Sequence, residues 1–366
     1  MAGADTNLKR MTPPEISAFA YEPGPIRVIC AAGAIGTLPD ELARLSIAKP
    51  MVLTTPSGGR RYADLLERLK ENGGILYGWA EPHSPEQVSL AALGTFHRSG
   101  CDGLVSIGGG STTGLGKFLA AATGKPLIAI PTTLAGSDMT PVYGWKADGV
   151  KHTRIDPRAQ ARTVLYDANL YLGLPAGELV RSAMNCLAHL VEALYPATPN
   201  MFAADLATIG MRVLFENLPV AVRNPTSIAA REQLCYAAFL GGHLVAIAGI
   251  GLHHKICHLI GGVTDISHGD NNSVVLPHVV ALNAPYLGRE GAILYELFGE
   301  HPGSGLRAWA IELGAPSALA LLGLREDVLP MIVDPVLAHP PANPAPLDRD
   351  VVTRLVEGIR AGKILV

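Results

Sequence analysis

Residues 103–117 read GLVSIGGGSTTGLGK, and this stretch decides the fold. Its apolar start predicts a strand over 103–107, and a helical pattern begins at 114. Between them, glycines let the backbone approach a ligand closely, and a helix start offers free N–H groups that suit a phosphate. The spacing is neither that of a Walker loop nor GxGxxG. We interpret it as a phosphate-binding turn, with a plain strand–helix connection as the alternative.

Short apolar runs alternate with helical patterns on both sides of this stretch. The predicted strands are 27–31, 51–55, 75–79, 103–107, 127–130 and 163–166. The predicted helices are 39–46, 62–72, 85–98 and 114–122. Continuous apolar strands alternating with helices are typical of a parallel sheet covered on both faces. We therefore predict an α/β domain with a mostly parallel, Rossmann-like sheet over residues 1–175.

A second polar loop, PTTLAGSDMT at 131–140, follows the next predicted strand. In open α/β sheets, ligands bind at the carboxyl ends of strands. The two loops together predict the walls of a dinucleotide cleft.

After residue 175 the pattern becomes helical. Apolar residues recur at three- and four-residue spacing over 182–195, 203–218, 229–246, 253–260 and 348–361. This predicts an all-helical domain over residues 176–366. Because no Pro/Ser-rich linker separates the domains, we expect them to pack closely, with the active site in the cleft between them.

Composition excludes several classes of protein. Of 366 residues, 48% are apolar and 17% charged, which indicates a globular chain. The net charge of -3 gives no electrostatic reason to expect nucleic acid. Five scattered cysteines suit a reducing compartment better than a disulfide framework. The N-terminus lacks the apolar core of a signal peptide, and no run is long enough for a membrane span. We therefore expect a cytoplasmic protein that associates with neither nucleic acid nor membrane.

Polar residues at helical spacing mark a candidate active site. Asn185 and His189 are four residues apart, as are His254 and His258, so each pair shares one helix face. His268 follows and is expected in a loop. Three histidines with a carboxylate would form a divalent metal site.

Two further histidines are expected to be ordinary buried residues. His253 lies about 100° around the helix from His254. His278 follows Pro277, and we interpret this pair as a helix start.

The chain resembles the iron-containing alcohol dehydrogenase superfamily and, within it, the maleylacetate reductases. The stretches that carry the resemblance are GGGSTTGLGK (108–117), IPTTLAGSDMTPVYG (130–144), MNCLAHLVEALY (184–195), LHHKICHLIGG (252–262), SVVLPHVVALN (273–283) and PPANPAPLD (340–348). They span nearly the whole chain. The resemblance implies a dehydroquinate synthase-like fold, an NADH- or NADPH-dependent reductase and a homodimer.

The resemblance also assigns roles to the polar cluster formed by Asn185, His189, His254, His258 and His268. Metal-dependent members have an aspartate where this chain has Asn185, whereas maleylacetate reductases share the asparagine. His189, His254 and His268 match the other three ligand positions. His258 matches a histidine near the nicotinamide.

The resemblance implies cofactor contacts at three loops and one lysine. Thr54, Thr55 and Pro56 match the adenine side, and Lys151 matches a lysine near the nicotinamide ribose. From the two polar loops, the expected contacts are Gly109, Gly110, Ser111, Thr132, Thr133 and Ser137. The sequence does not decide between NADH and NADPH.

Two positions depart from the pattern of the reductases. Arg154 and Ile155 stand before Asp-Pro where the reductases usually have Gly-Arg, and Asn272 stands where they tend to have histidine. Because the second position flanks the expected substrate pocket, it leaves the exact substrate open among maleylacetate, its chlorinated forms and other enones.

The resemblance implies a reaction that needs no metal. An asparagine is a weak ligand for a divalent cation, so we expect the metal to be absent. Hydride added to the carbon β to the ketone of maleylacetate gives an enolate, which hydrogen-bond donors stabilise. We expect His254 or His258 to protonate the α carbon, with His189 and His268 holding substrate oxygens.

A dianionic substrate also calls for cations. Lys255 and Lys151 are the candidates, and Arg154 is a weaker one.

Two alternatives remain at this stage. One is a metal-dependent alcohol dehydrogenase. The other is a non-redox lyase, cyclase or isomerase on the same scaffold.

Overall fold

The computed structural model describes residues 24–71, 73–82, 84–148 and 150–365. The polar segment at the N-terminus lies outside these ranges. The strands are β1 Arg27–Cys30, β2 Pro50–Leu53, β3 Ile75–Tyr77, β4 Gly103–Gly108, β5 Leu127–Pro131, β6 Val142–Ala147, β7 Val150–Ile155 and β8 Thr163–Tyr166. The first helices are α1 Leu38–Arg44, α2 Pro56–Arg61, α3 Ala63–Glu71, α4 Glu86–Ser99, α5 Gly110–Thr123 and α6 Ala168–Tyr171.

The remaining helices form the second half of the chain. They are α7 Ala176–Glu192, α8 Met201–Arg223, α9 Ile228–Ala248, α10 Leu252–Val263, α11 His268–Asn283, α12 Ala292–Phe298, α13 Pro302–Glu312, α14 Pro330–Ala338 and α15 Arg349–Ala361. Residues 176–365 contain no strand. The predicted fold class, a parallel α/β region followed by a helical region, is confirmed.

Six strands form one sheet in the order β1-β8-β5-β4-β2-β3, and every neighbouring pair is parallel. β4 and β5 are buried along their whole length, as their largely apolar sequences lead one to expect. Because β2, β4 and β5 are adjacent, the loops that follow them meet at one edge of the sheet. This is the edge at which parallel α/β proteins bind ligands.

The core is continuous between the two regions. One apolar cluster joins sheet residues such as Leu104 and Tyr166 to residues of α7, α8 and α9, including Leu187, Leu214 and Leu240. A second cluster packs α10, α11, α14 and α15 together. The loop edge of the sheet is therefore held against the helices that carry the polar cluster.

Two sequence-based expectations were wrong, and one element was not predicted. β6 and β7 form an antiparallel hairpin that the pattern did not predict. His268 is the first residue of α11 rather than part of a loop, and Ser267 caps that helix by accepting a hydrogen bond from the N–H of Asp270. Pro277 lies inside α11, so it does not start a helix with His278.

Among the described residues, no single helix is long and apolar enough to cross a membrane. α9 and α10 pass that test only when taken together across a bend of 94°.

Candidate active site

The first loop is a compact turn into α5. Gly108 has φ +151°, and a Cβ there would lie 2.5 Å from the Thr112 hydroxyl oxygen. A Cβ at Gly109 would press on Thr133 at 3.0 Å, whereas the space beside Gly110 is open. The N–H groups of Gly110 and Ser111 begin the helix and have no carbonyl one turn earlier within it. The turn therefore presents free donors and the positive end of a 14-residue helix, which fit a phosphate.

The loop after β2 serves mainly to hold the fold together. Thr54 is fully buried, and its hydroxyl donates to the carbonyl of Ile107 at 3.0 Å. Thr55 caps α2 by accepting from the Gly58 N–H at 3.0 Å, and Pro56 is the exposed first residue of that helix. The hydroxyls of Thr54 and Thr55 are thus committed to β4 and α2.

The second loop closes the other side of the turn. The Thr132 N–H donates to the carbonyl of Gly108 at 3.0 Å, which joins the two loops directly. Thr132 is buried, while Thr133 and Ser137 are half-buried. The loop therefore lies at the same sheet edge as the glycine-rich turn before α5.

A buried lysine that the sequence analysis did not single out secures this loop. Lys117 of α5 donates from Nζ to the carbonyls of Ser137 and Val142 and to the hydroxyl of Thr140, at 2.5, 2.6 and 3.0 Å. Burial lowers the pKa of Lys117 to about 7. Its interaction with the loop carries no sequence signature, because a lysine in a helix is usually exposed.

A buried hydrogen bond between two side chains holds the opposite side of the second loop. The Tyr166 hydroxyl donates to the Asp138 carboxylate, and burial raises the pKa of that carboxyl group.

The predicted histidines meet in space as a row of rings. His189 of α7 stacks on His254 of α10 with ring centroids 4.6 Å apart. His254 lies 6.2 Å from His258 one turn later, and His258 lies 6.0 Å from His268 at the start of α11. His189 and His254 are buried, whereas His258 and His268 are exposed. The row therefore runs from the interior to the surface.

Asn185 lies at the inner end of this row with its amide orientation fixed. Its Nδ2 donates to the carbonyl of Ala135 at 3.2 Å, so its Oδ1 points the other way. That oxygen accepts from Nδ2 of Asn272 at 2.8 Å and lies 3.4 Å from Nε2 of His254. The asparagine thus joins the second loop to α10 and α11.

A close backbone approach brings the loop against the histidines. Gly136 has φ +74°, and a Cβ there would lie 2.9 Å from Cα of Gly242 in α9 and 3.2 Å from Nδ1 of His189. That ring nitrogen is buried and has no hydrogen-bond partner in the part of the chain that the structure describes. Burial, reinforced by the neighbouring His254, lowers the pKa of His189 well below its usual value. The His189 ring is therefore neutral.

Glu192 is a member of the cluster that sequence reasoning missed. Its carboxylate accepts from Nδ1 of His254 at 2.6 Å, and both side chains are buried. His253, expected to be an ordinary core residue, is buried beside them and bonds the Asn272 carbonyl at 3.2 Å. Burial lowers the pKa of His254 well below its usual value and that of His253 to about 3. Both rings are therefore neutral.

The cationic residues expected to bind the substrate are not part of the hydrogen bonds around Asn185 and His254. Lys255 follows His254 on α10 and is half-buried. Arg154 stacks its guanidinium on the Trp145 ring at 5.2 Å within the hairpin. The side chain of Lys151 lies outside the described part of the structure.

The donor set at the matched ligand positions does not fit an iron site. It consists of three histidines and a neutral amide, and its oxygen already accepts from Asn272. Among the described residues, one group of acidic, histidine or cysteine side chains has its donor atoms within 4.8 Å of each other, namely Glu192, His253 and His254. Ligands that share a tetrahedral metal lie about 3.3 Å apart. The 2.6 Å between Glu192 and His254 is instead a hydrogen-bond distance.

Comparison with known proteins identifies the family. Residues 25–168 match the family described as iron-containing alcohol dehydrogenase, and residues 179–359 match its C-terminal part. The chain belongs to the iron-containing alcohol dehydrogenase family, and it is an oxidoreductase. The family assignment sets aside the non-redox alternative.

Relatives of this chain within the family carry a more specific name. A protein of Rhizobium sp. (strain MTP-10005) named maleylacetate reductase is 37% identical over 339 residues, covering 93% of this chain and 97% of that protein. Maleylacetate reductase 1 of Cupriavidus pinatubonensis is 36% identical, covering 91% and 95%. The crystal structure of maleylacetate reductase from Agrobacterium tumefaciens superposes with a TM-score of 0.90 at 37% identity, covering 95% of this chain and 100% of that one.

Proposed function

We propose that this protein is a nicotinamide-dependent reductase of the maleylacetate reductase type. It would reduce the C=C bond conjugated to the ketone of maleylacetate, or of a related oxo-diacid, to give 3-oxoadipate in the degradation of aromatic compounds. The observation that carries the proposal is the neutral Asn185, held by Asn272 and Ala135 within a histidine row where a metal-dependent enzyme needs a carboxylate. The names of the relatives support it.

The cofactor would bind across the ends of β2, β4 and β5. The free N–H groups of Gly110 and Ser111 and the open space beside Gly110 fit the pyrophosphate, and Gly109, which packs against Thr133, is a further proposed contact. The other proposed contacts are Thr132, Thr133 and Ser137 in the second loop, Thr54, Thr55 and Pro56 on the adenine side, and Lys151. When bound, NADH or NADPH supplies a hydride.

The residues of this chain would stabilise the enolate and deliver the proton. A neutral histidine donates through one ring nitrogen, which suits His189 for holding the developing oxyanion. His258 is the better proton donor of the two candidates, because it is exposed and exchanges protons with solvent, whereas Nδ1 of His254 is committed to Glu192. Exposed His268 and half-buried Lys255 would bind the carboxylates of the substrate.

We propose that this reaction proceeds without a divalent metal. The second candidate is a metal-dependent alcohol dehydrogenase, which the description of the matched family favours. We also retain the domain boundary between residues 175 and 176, a homodimer, a cytoplasmic location and no association with nucleic acid or membrane as proposals. The start of α7 at Ala176 supports the boundary.

The test is oxidation of NADH and of NADPH by purified protein, with maleylacetate, a chlorinated maleylacetate and a saturated aldehyde as substrates. We expect turnover of the unsaturated oxo-diacids, little with the aldehyde, and activity that survives a chelator. Stoichiometric iron or zinc, with activity lost on chelation and recovered on reloading, would establish the second candidate instead.

A further inference from the structure

Glu192 divides its two carboxylate oxygens between two donors of one residue. Oε2 accepts from ring Nδ1 of His254 at 2.6 Å, and Oε1 accepts from the backbone N–H of the same residue at 3.2 Å. His254 is the third residue of α10, so the second bond caps the start of that helix. A Cβ at the preceding Gly251 would lie 3.2 Å from Oε1, and the glycine therefore leaves room for the carboxylate.

A role in capping alone would not explain the ring contact. Within the described ranges of residues 24–365, His254 is the one residue that hydrogen-bonds the Glu192 carboxylate, and Glu192 is 3% exposed. A buried carboxylate is costly unless it is paired and hydrogen-bonded. Since a carboxylate only accepts, the proton of His254 must reside on Nδ1.

A neighbouring ring independently supports this tautomer. Nε2 of His253 faces the carbonyl of Asn272 at 3.2 Å, so it must carry the proton of the His253 ring. Nδ1 of His253 is then an acceptor, and it lies 3.3 Å from Nδ1 of His254. An acceptor at that distance requires the hydrogen on the His254 side.

We propose that Glu192 is a positioning residue that fixes His254 as the Nδ1–H tautomer and thereby turns Nε2 into a hydrogen-bond acceptor. Nε2 of His254 and Oδ1 of Asn185 then face each other as two acceptors across 3.4 Å. A group that bridges these two atoms from the side must donate a hydrogen to them. This inference rests on the proposed reductase function, in which it assigns this end of the pocket to the proton source, either water or protonated His258. The substrate oxyanion is repelled from it and lies towards His189, His268 and Lys255.

The decisive variant is Glu192→Gln, which keeps the volume but has a single acceptor oxygen. The amide cannot accept from both the backbone N–H and Nδ1–H, so the tautomer of His254 or the cap changes. We expect kcat with maleylacetate to fall about 10–100-fold, with the KM for substrate and the Kd for NADH or NADPH within about threefold of the wild type. Glu178→Gln, on the exposed first turn of the same helix, is the matched control and should leave kcat unchanged.

Nuclear magnetic resonance supplies a readout that a merely structural residue would not move. With ¹⁵N-labelled histidine, the wild type should show a strongly downfield Nδ1–H proton that disappears in His254→Asn, which assigns it. That resonance should be lost or shifted in Glu192→Gln and retained in Glu178→Gln. An unchanged resonance in Glu192→Gln, or a kcat within twofold of the wild type, overturns the inference. Failure of maleylacetate turnover in a wild-type protein that shows the resonance would instead count against the proposed function.

Discussion

Asn272 of α11 donates a hydrogen bond from Nδ2 to Oδ1 of Asn185 in α7, 87 residues away, across 2.8 Å. This bond, together with the one from Asn185 to Ala135, determines which atom of the Asn185 amide faces His254. The departure at residue 272 therefore acts directly on the residue that stands where a metal-dependent enzyme is expected to have an aspartate.

Asn272→Asp should disrupt this arrangement, because a carboxylate cannot donate to Oδ1. We expect the free energy of unfolding to fall by about 1–3 kcal/mol, the cost of a buried unsatisfied group, and kcat/KM for maleylacetate to fall with it. Asn272→His introduces the residue that the reductases tend to have and retains a donor, so it should be milder in both respects. Urea unfolding and steady-state kinetics of the two variants measure these effects, and equal losses would show that the donor is immaterial.

Asn185→Asp should turn the site towards metal binding. One carboxylate oxygen would face the Ala135 carbonyl where an N–H now donates at 3.2 Å, and this repulsion favours a cation nearby. Without metal, we expect the melting temperature to fall by roughly 2–6 °C, the consequence of about 1–2 kcal/mol. Added Zn²⁺ should restore the melting temperature of the variant and leave the wild type unchanged. Zn²⁺ stabilisation of the wild type to the same extent would contradict the proposed metal-free site.

Much of the fold could be predicted because its signals are local. β5 is an uninterrupted apolar run, β4 is interrupted only by Ser106, and Gly124 ends α5 in the left-handed conformation that favours glycine. The β6–β7 hairpin was missed because the side chains described in it are mostly exposed and show no clean alternation. α11 was misplaced because Pro277 usually marks a helix start, whereas here it lies in the second half of the helix.

The site could be predicted only in part, because some of its contacts join residues that are far apart in sequence. Asn185, His189, His254 and His258 stand out because helical spacing places each pair on one face. Glu192 and Lys117 carry no such signal. Their partners come from 62 residues away and from the loop at 137–142, respectively. The burial of such a charged side chain depends on tertiary contacts and cannot be inferred from the local sequence.

His258→Asn tests the choice of proton donor. Asparagine retains a polar side chain of similar size but cannot transfer a proton at neutral pH. We expect kcat to fall about 10²–10⁴-fold, with the Kd for the nicotinamide cofactor nearly unchanged. His97→Asn, at an exposed position on α4, is the control. Loss of kcat in His254→Asn but not in His258→Asn, measured by cofactor oxidation, would assign the proton to His254.

Gly136→Ala should separate the second loop from the histidines. A left-handed φ of +74° costs a non-glycine residue about 1–2 kcal/mol, and the new Cβ would press on Gly242 and His189. We expect lower stability and, because His189 is displaced, a lower kcat. Gly36→Ala, with open space and an ordinary φ, is the control and should change neither. Differential scanning calorimetry and kinetics test the pair, and wild-type behaviour of Gly136→Ala would refute the close approach.

His278 should make the protein sensitive to acid independently of the active site. His278 is 1% exposed on α11, and neither of its ring nitrogens has a hydrogen-bond partner among the described residues. Burial, with the charge of Arg307, lowers its pKa from 6.5 to about 4. Between these two values the unfolded chain binds the proton more strongly than the folded chain. Stability is therefore unaffected by this residue above about pH 7 and falls as the pH falls from 6.5 towards 4.

The size of this effect follows from the two pKa values. Between pH 7.5 and pH 5, His278 should cost the folded state about 2 kcal/mol. His278→Leu removes the titrating group and its unpaired nitrogens, so the variant should equal or exceed the wild type in stability at pH 7.5. Urea unfolding at both pH values should show a loss of stability on acidification that is smaller in the variant by that amount. An identical loss in both proteins would mean that other buried histidines, His253 among them, account for the acid sensitivity.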